Sequence, residues 1–197
     1  MAAKTVTALR PRRGDRVLVE LDDEEWRIVP AAAVVGAGLR EGIELDRGRL
    51  RALQRELRRS EALTAAARAL RGRDLSARRL QERLERAGIS RPAREQVVGM
   101  LTAWGIVDDS RLAAAAAQSL AKRGFGDAAI RFRLEQLGLE SEQVSLALAD
   151  LGPEEDRARE LLSGAPPTPK SARLLAGRGF SDDAIEAAVG TPVADDG

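Results

Sequence analysis

Arg123-Gly124-Phe125-Gly126-Asp127-Ala128-Ala129-Ile130 returns 55 positions later as Arg178-Gly179-Phe180-Ser181-Asp182-Asp183-Ala184-Ile185. A recurrence of this length marks an internal repeat, and periods of this size belong to helical units that bury their apolar stripes against their neighbours. A further copy lies 50 positions upstream, where Leu75, Leu80, Leu84 and Gly88 align with Phe125, Ile130, Leu134 and Gly138. Gly72 stands two positions out of step with Gly124, so the first copy has the longer turn. Each copy reads as helix, tight turn, helix, glycine, helix. Ser76, Gly126 or Ser181 supplies the entry position of the middle helix. Gly88 and Gly138 suit a helix-ending turn of positive φ.

Working outward, the spacing predicts three tandem three-helix repeats over residues 61–107, 108–152 and 153–190, the third shorter as terminal units often are. Residues 46–60 read as a connecting helix, with Leu50, Leu53 and Leu57 at helical spacing. Residues 1–45 differ. Val6, Val17-Leu18-Val19-Glu20-Leu21 and Trp26-Arg27-Ile28-Val29 are β-prone runs, and Asp22-Asp23-Glu24-Glu25 reads as a polar hairpin turn. Pro30 ends the last strand because it cannot donate to a ladder. Ala31 to Ala37 reads as a short helix closed by Gly38. Trp26 and Ile28 share one sheet face, and Trp26 is expected to anchor a small core rather than stack on a base, since no second aromatic lies nearby. The three prolines in Gly164-Ala165-Pro166-Pro167-Thr168-Pro169 interrupt the helical pattern, and residues 191–197 read as a disordered acidic tail. The expected fold is mainly α: an elongated array of three helical repeats preceded by a small antiparallel β module.

Composition narrows the function. Of 197 residues, 44% are hydrophobic and 32% charged, enough apolar surface for a core. Aromatics are 3%, too few for a sandwich built on aromatic strands. Cys and His are both absent, which removes thiol nucleophiles, disulfides, Cys/His zinc sites, imidazole bases and the Ser-His-Asp triad. Asp108-Asp109 could hold Mg²⁺ as a carboxylate pair, but at a helix start an acidic pair caps free N–H groups, and Asp182-Asp183 reads the same way. The pairs Gly124/Gly126 and Gly177/Gly179 lack the Lys-Ser/Thr ending of a phosphate loop. Trp104 continues the Val97, Leu101 stripe and is expected in the core. No catalytic residue, cofactor or metal is expected, and the chain reads as a non-enzyme. No apolar run reaches the roughly 18–20 residues of a membrane span, and no signal pattern opens the chain. Cytoplasmic localisation follows as the expectation.

The net charge of +1 conceals a gradient. Residues 1–59 carry +3, 60–107 carry +4, 108–152 carry −2 and 153–197 carry −4. A dipolar layout of this kind can orient a protein on a charged partner. Basic density peaks between Arg68 and Arg94. On the helix after Ser76, Leu80, Leu84 and Ala87 form the buried stripe, while Arg79, Arg83 and Arg86 share a separate face. That face is open to two readings, a solvated surface with ordinary ion pairs or a stripe turned toward an anionic partner.

The order of these pieces resembles the RecX family, bacterial regulators of the RecA recombinase. Leu75-Ser76-Ala77-Arg78-Arg79-Leu80, Leu84 and Gly88-Ile89 resemble its first-unit pattern. Ile106-Val107-Asp108-Asp109-Ser110-Arg111-Leu112-Ala113 resembles its junction, and Lys122-Arg123-Gly124-Phe125-Gly126 with Ile130 and Leu134 resembles its second-unit turn. The strand-rich segment ending in Leu39-Arg40-Glu41-Gly42-Ile43-Glu44-Leu45 is similar to an extension many members carry. Departures are visible: Asp127-Ala128-Ala129 stands where the family usually has Pro-Arg-Arg, Leu112 replaces a Phe, and Arg79 replaces a Glu.

The resemblance implies a non-enzymatic regulator that binds the RecA–single-stranded DNA filament, limits its growth and inhibits ATPase and strand exchange. The partners it implies are the RecA filament and single-stranded DNA, with no membrane, and the protein is expected to act as a monomer. The alternative is a direct nucleic-acid-binding helical-repeat protein acting without RecA. From charge placement, and not from a family motif, the contact set is Arg79, Arg83, Arg86, Lys122, Arg123, Arg131 and Arg133. Reversing charge with Arg79→Glu and Arg83→Glu is expected to weaken RecA inhibition and leave helicity and melting nearly unchanged.

Overall fold

The structure, a computed structural model, describes residues 4–163 and 167–190. The tail expected to be disordered and part of the proline interruption lie outside them. The described chain divides into two compact units, one formed by residues up to Arg73 together with Leu80–Trp104, the other by Asp74–Arg79 together with residues from Gly105 onward.

The first unit opens with a four-stranded antiparallel sheet of β1 (Lys4–Arg12), β2 (Arg16–Leu21), β3 (Glu24–Pro30) and β4 (Glu44–Leu45), in the order β3-β2-β1-β4. Asp22 and Asp23 both take positive φ, so the β2–β3 turn needs two residues rather than the four acidic ones. Val19, Leu21 and Val29 turn one face onto Ala33 and Val34 of α1 (Ala31–Gly36) and Leu53 of α2 (Arg47–Leu70). Asp46 caps α2 by accepting from the Arg49 N–H at 2.8 Å, and that bond holds its carboxyl below the usual carboxylate range. α2 is one 24-residue helix with no break at position 60. β4, two residues that pair with Lys4 and Thr5, carries no strand signal of its own.

Trp26 is 37% exposed and Ile28 45%, so the two share a sheet face as expected but it is the outer one. Val19 pairs with Arg27 and Glu20 with Glu25, leaving Trp26 at an irregularity of the ladder with no partner opposite. It does not anchor the core.

α3 (Ala77–Arg86) and α4 (Arg91–Ala103) follow, with Leu80, Leu84, Val97, Val98 and Leu101 buried. Gly88 ends α3 at φ +78°. Trp104 is 62% exposed, a correction to its expected place in the core. α4 stops at Ala103, so Trp104 caps the helix instead of continuing its stripe, and Gly105 turns away at φ +68°.

In the second unit, α5 (Asp109–Lys122), α6 (Asp127–Gln136) and α7 (Ser141–Ala149) close on Ala113, Ala117, Leu120, Ile130, Leu134, Val144 and Leu148. Each fully buried Leu or Ile there contributes about 1.5–3 kcal/mol. Residues 153–190 hold α8 (Glu154–Leu161), α9 (Pro169–Gly177) and α10 (Asp182–Val189), packed on Ala158, Leu175, Phe180 and Ala184. By the 55-residue correspondence α9 and α10 take the places of α5 and α6, and α8 is an additional piece before them. Residues 153–190 thus hold three short helices, the last two of which correspond to α5 and α6.

The two Arg-Gly-Phe turns meet backbone to backbone. The Gly126 N–H donates to Arg178 O at 2.9 Å and the Ala128 N–H to Gly179 O at 3.1 Å. A Cβ on Gly126 would lie 2.3 Å from Gly179 O, although its φ is ordinary, so the glycine is required by space alone. Gly126→Ala is expected to destabilise the protein by about 2–3 kcal/mol in thermal or urea unfolding. Gly99→Ala, at an open position inside α4 where an added Cβ meets nothing, is expected to stabilise it by about 0.5–1 kcal/mol in the same measurement.

Candidate functional site

The candidate contact residues fall into two groups of cations, and the structure treats them differently. On α3, Arg79, Arg83 and Arg86 do lie along one face. Their environments diverge. Arg79 donates from Nε, at 3.2 Å, and from Nη2 to Gln136 O, the carbonyl at the end of α6. It is thus a structural clasp on a helix C-terminus, where a cation is favoured by the helix dipole. Arg83 is half-buried and Arg86 exposed. The expectation that Arg79 can be reversed without cost to folding is corrected by this bond.

Arg79 does not work alone. Ser76, fully buried, donates its Oγ–H to Leu137 O at 2.6 Å and accepts from the Arg79 N–H at 3.2 Å. Asp109 accepts from the Ala77 N–H at 2.9 Å, so it caps α3 and not its own helix. Its neighbour Asp108 caps α5 by accepting from the Arg111 N–H at 2.9 Å. The pair read as one capping device therefore serves two helices. Gly138, at φ +79°, lets the end of α6 approach this group, since a Cβ there would stand 3.0 Å from Ser76 Oγ.

The other end of α6 repeats the device. Glu154, the first residue of α8, accepts from the Asp127 N–H at 2.6 Å through one oxygen. Its other oxygen accepts from the Ser181 N–H at 3.2 Å and the Ser181 hydroxyl at 2.6 Å. One carboxylate thus serves the entrances of both α6 and α10. Ser181, in turn, caps α10 by accepting from the Ala184 N–H at 3.3 Å, in keeping with the entry position its sequence predicts.

The second group gathers around Phe125. The guanidinium of Arg133 lies 4.0 Å from its ring centre, that of Arg123 5.4 Å and that of Arg178 5.9 Å. Such contacts use the negative face of the ring to hold cations together. Arg178 Nη1 donates to Arg123 O at 2.8 Å and Gly124 O at 3.3 Å, so neutral carbonyls hold its charged head. Arg157 donates to Phe125 O at 3.4 Å and forms an ion pair with Asp127. Lys122, Arg123, Arg157 and Arg178 line one groove of about 620 Å³, with Glu160 on its wall.

Of the sequence-derived set, the structure brings Lys122, Arg123 and Arg133 to this cluster. Arg131 is exposed on α6, but two residues before Arg133 it points about 200° away around the helix. Sequence reasoning missed Arg157 and Arg178. The second was signalled by its equivalence to Arg123 in the repeat; nothing local marked the first. Among the described residues no group of three or more acidic side chains is placed to hold a metal ion. No described helix is long and apolar enough to cross a membrane.

A protein named Regulatory protein RecX from Xanthomonas axonopodis pv. citri (strain 306) is 37% identical over 126 residues, covering 59% of this chain and 78% of the relative. Its counterpart from Xanthomonas oryzae pv. oryzae (strain MAFF 311018) is 36% identical over the same length, 59% of this chain and 79% of the relative. No family model matches. A crystal structure of regulatory protein RecX superposes with a TM-score of 0.79 at 18% identity, over 94% of this chain and 98% of the other. RecX from Lactobacillus salivarius superposes at 0.61 and 16% identity, over 67% and 94% of the two chains. Fold and site together define a helical-repeat protein with an N-terminal sheet that offers arginines on its surface. With relatives at this identity and coverage, the chain belongs to the RecX family of regulatory proteins.

Arg79→Glu removes two donors from Gln136 O and sets a carboxylate beside it, and is expected to cost about 1–3 kcal/mol in unfolding experiments. Arg83→Glu with Arg86→Glu, in the last turn of α3, breaks no hydrogen bond among the described residues and is expected to lower the melting temperature only slightly, through the helix dipole. Glu154→Ala strips one acceptor from two helix entrances and is expected to cost about 2 kcal/mol, one cap's worth for each. Glu154→Gln, which keeps an acceptor oxygen, is expected to recover part of that loss.

Proposed function

We propose that this protein regulates RecA by binding the RecA–single-stranded DNA filament, limiting its growth and inhibiting ATP hydrolysis and strand exchange. The observation that carries the reading is the 37% identity to a named RecX regulatory protein across 78% of that relative's length. The superposition on a RecX crystal structure over nearly the whole of both chains supports the same fold for the task. The protein acts as a monomer in the cytoplasm, through side chains on its surface rather than through bond-making chemistry.

Arg83 and Arg86 on α3, and Lys122, Arg123, Arg131 and Arg133 in the second repeat, are the proposed contacts, with Arg79 a positioning residue for the turn they flank. Repeats suit a filament because many modest contacts to successive protomers add through effective concentration. The charge gradient along the chain, positive in the first 107 residues and negative after them, gives a means of fixing orientation.

RecA ATPase activity on single-stranded DNA is expected to fall as this protein is added. The Arg83→Glu, Arg86→Glu variant is expected to need about tenfold more protein for the same inhibition, as the loss of charge-assisted contacts implies. Undiminished ATPase at saturating protein, with filaments of unchanged length by electron microscopy, would overturn the reading.

A further inference from the structure

The groove between the two Arg-Gly-Phe turns has a charge balance unlike the part of the chain that contains it. Residues 108–197 carry a net charge of −6, so acidic side chains are plentiful there. Yet Lys122, Arg123 and Arg178 converge on the groove, and Glu160 alone of its lining residues is acidic. The Arg157 charge is already met by Asp127. None of Lys122, Arg123, Arg133 and Arg178 takes an ion-pair partner among the described residues. Two acids of α8 are used elsewhere, Glu154 on helix entrances and Asp156 in a pair with Arg159.

Gathering like charges is unfavourable, and here the cost is only partly offset by the Phe125 ring. Arg178 is held in place by two carbonyl oxygens, which fix its position and leave its charge uncompensated. Arg123 belongs to the equivalent turn one repeat earlier, so the repeat itself delivers matched guanidinium groups to one opening. Arg157 Nε is buried beside them with no hydrogen-bond partner. A pre-placed arginine cluster of this kind is complementary to an anion with several oxygens. A phosphate presents enough oxygens to accept from three cations at once, whereas a carboxylate presents two.

We propose that this groove is a phosphate-binding site, with Lys122, Arg123 and Arg178 as the ligating side chains and Phe125 as the platform that holds the arginines. Its volume of about 620 Å³ admits a phosphate together with the group that bears it. Two sources share the chemistry, a free phosphate compound and the backbone of a nucleic-acid strand. The site shares Lys122 and Arg123 with the proposed filament contacts, but it is tested without RecA, so its failure and that of the RecA reading are distinguishable.

The test uses the full chain without RecA and two probes, inorganic pyrophosphate by calorimetry and a labelled oligothymidylate of about twelve nucleotides by anisotropy. At least one probe is expected to bind, and Lys122→Glu with Arg123→Glu is expected to weaken it by about tenfold or more, two charges having been reversed at the contact. Arg51→Glu, at an exposed position of α2 outside the proposed contacts, is expected to change binding far less, and both variants should melt like the parent. If pyrophosphate displaces the oligothymidylate, strand phosphates are a source of the ligand; if only pyrophosphate binds, the source is a free phosphate compound. Either result supports the site. Failure of both probes to bind at millimolar concentration, or equal weakening by the groove and the Arg51 variants, would overturn it whatever happens to RecA ATPase.

Discussion

Helix α6 is held at both ends by polar groups from neighbouring repeats, and most of what the second unit presents depends on that grip. A helix leaves N–H groups unsatisfied at its start and carbonyls at its end. Here Glu154 takes an N–H at the start, while Ser76 and Arg79 donate to Leu137 O and Gln136 O at the finish. Apolar burial of Ile130 and Leu134 supplies adhesion but little direction, since hydrophobic contact is non-directional. The hydrogen bonds at the helix ends supply register. They succeed only because Gly126 and Gly138 let backbone and side chains come close enough to form them.

The same register assembles the arginine cluster. With Gly126 bonded to Arg178 O, the two Arg-Gly-Phe turns lie against each other, and Arg178 reaches the carbonyls of Arg123 and Gly124. Phe125 then sits among three guanidinium groups. Asp127 itself is occupied by Arg157 and so does not neutralise the cations on the groove wall. A RecX-family chain with an acidic second half thus retains a local positive surface.

The corrections share a cause. Trp26, Trp104, Arg79 and Asp109 were each assigned from their own segment, by strand alternation, helical stripe, charged face or cap position. Each was decided by something non-local or by where an element stops. Trp26 lies with Ile28 on the outer face of its strand, which the sheet's packing decides, and the end of α4 released Trp104 from its stripe. Arg79 and Asp109 found partners 57 and 32 positions away, Gln136 O and the Ala77 N–H. Segment-by-segment reasoning can see a capping carboxylate, but it cannot say which helix that carboxylate will cap.

The residues by themselves determined the helical class, the repeat and its turns, the sheet-forming start, and the absence of cysteine and histidine chemistry. Periodicity, glycine position and composition act within a few residues, so they are legible along the chain. Tertiary structure alone decided that the repeat turns pair through their backbones, that one carboxylate serves two helices, and that Arg157 and Arg178 join Lys122 and Arg123 at one groove. Those outcomes depend on groups far apart in sequence being brought within hydrogen-bonding distance, and only the packed backbone fixes which of them meet.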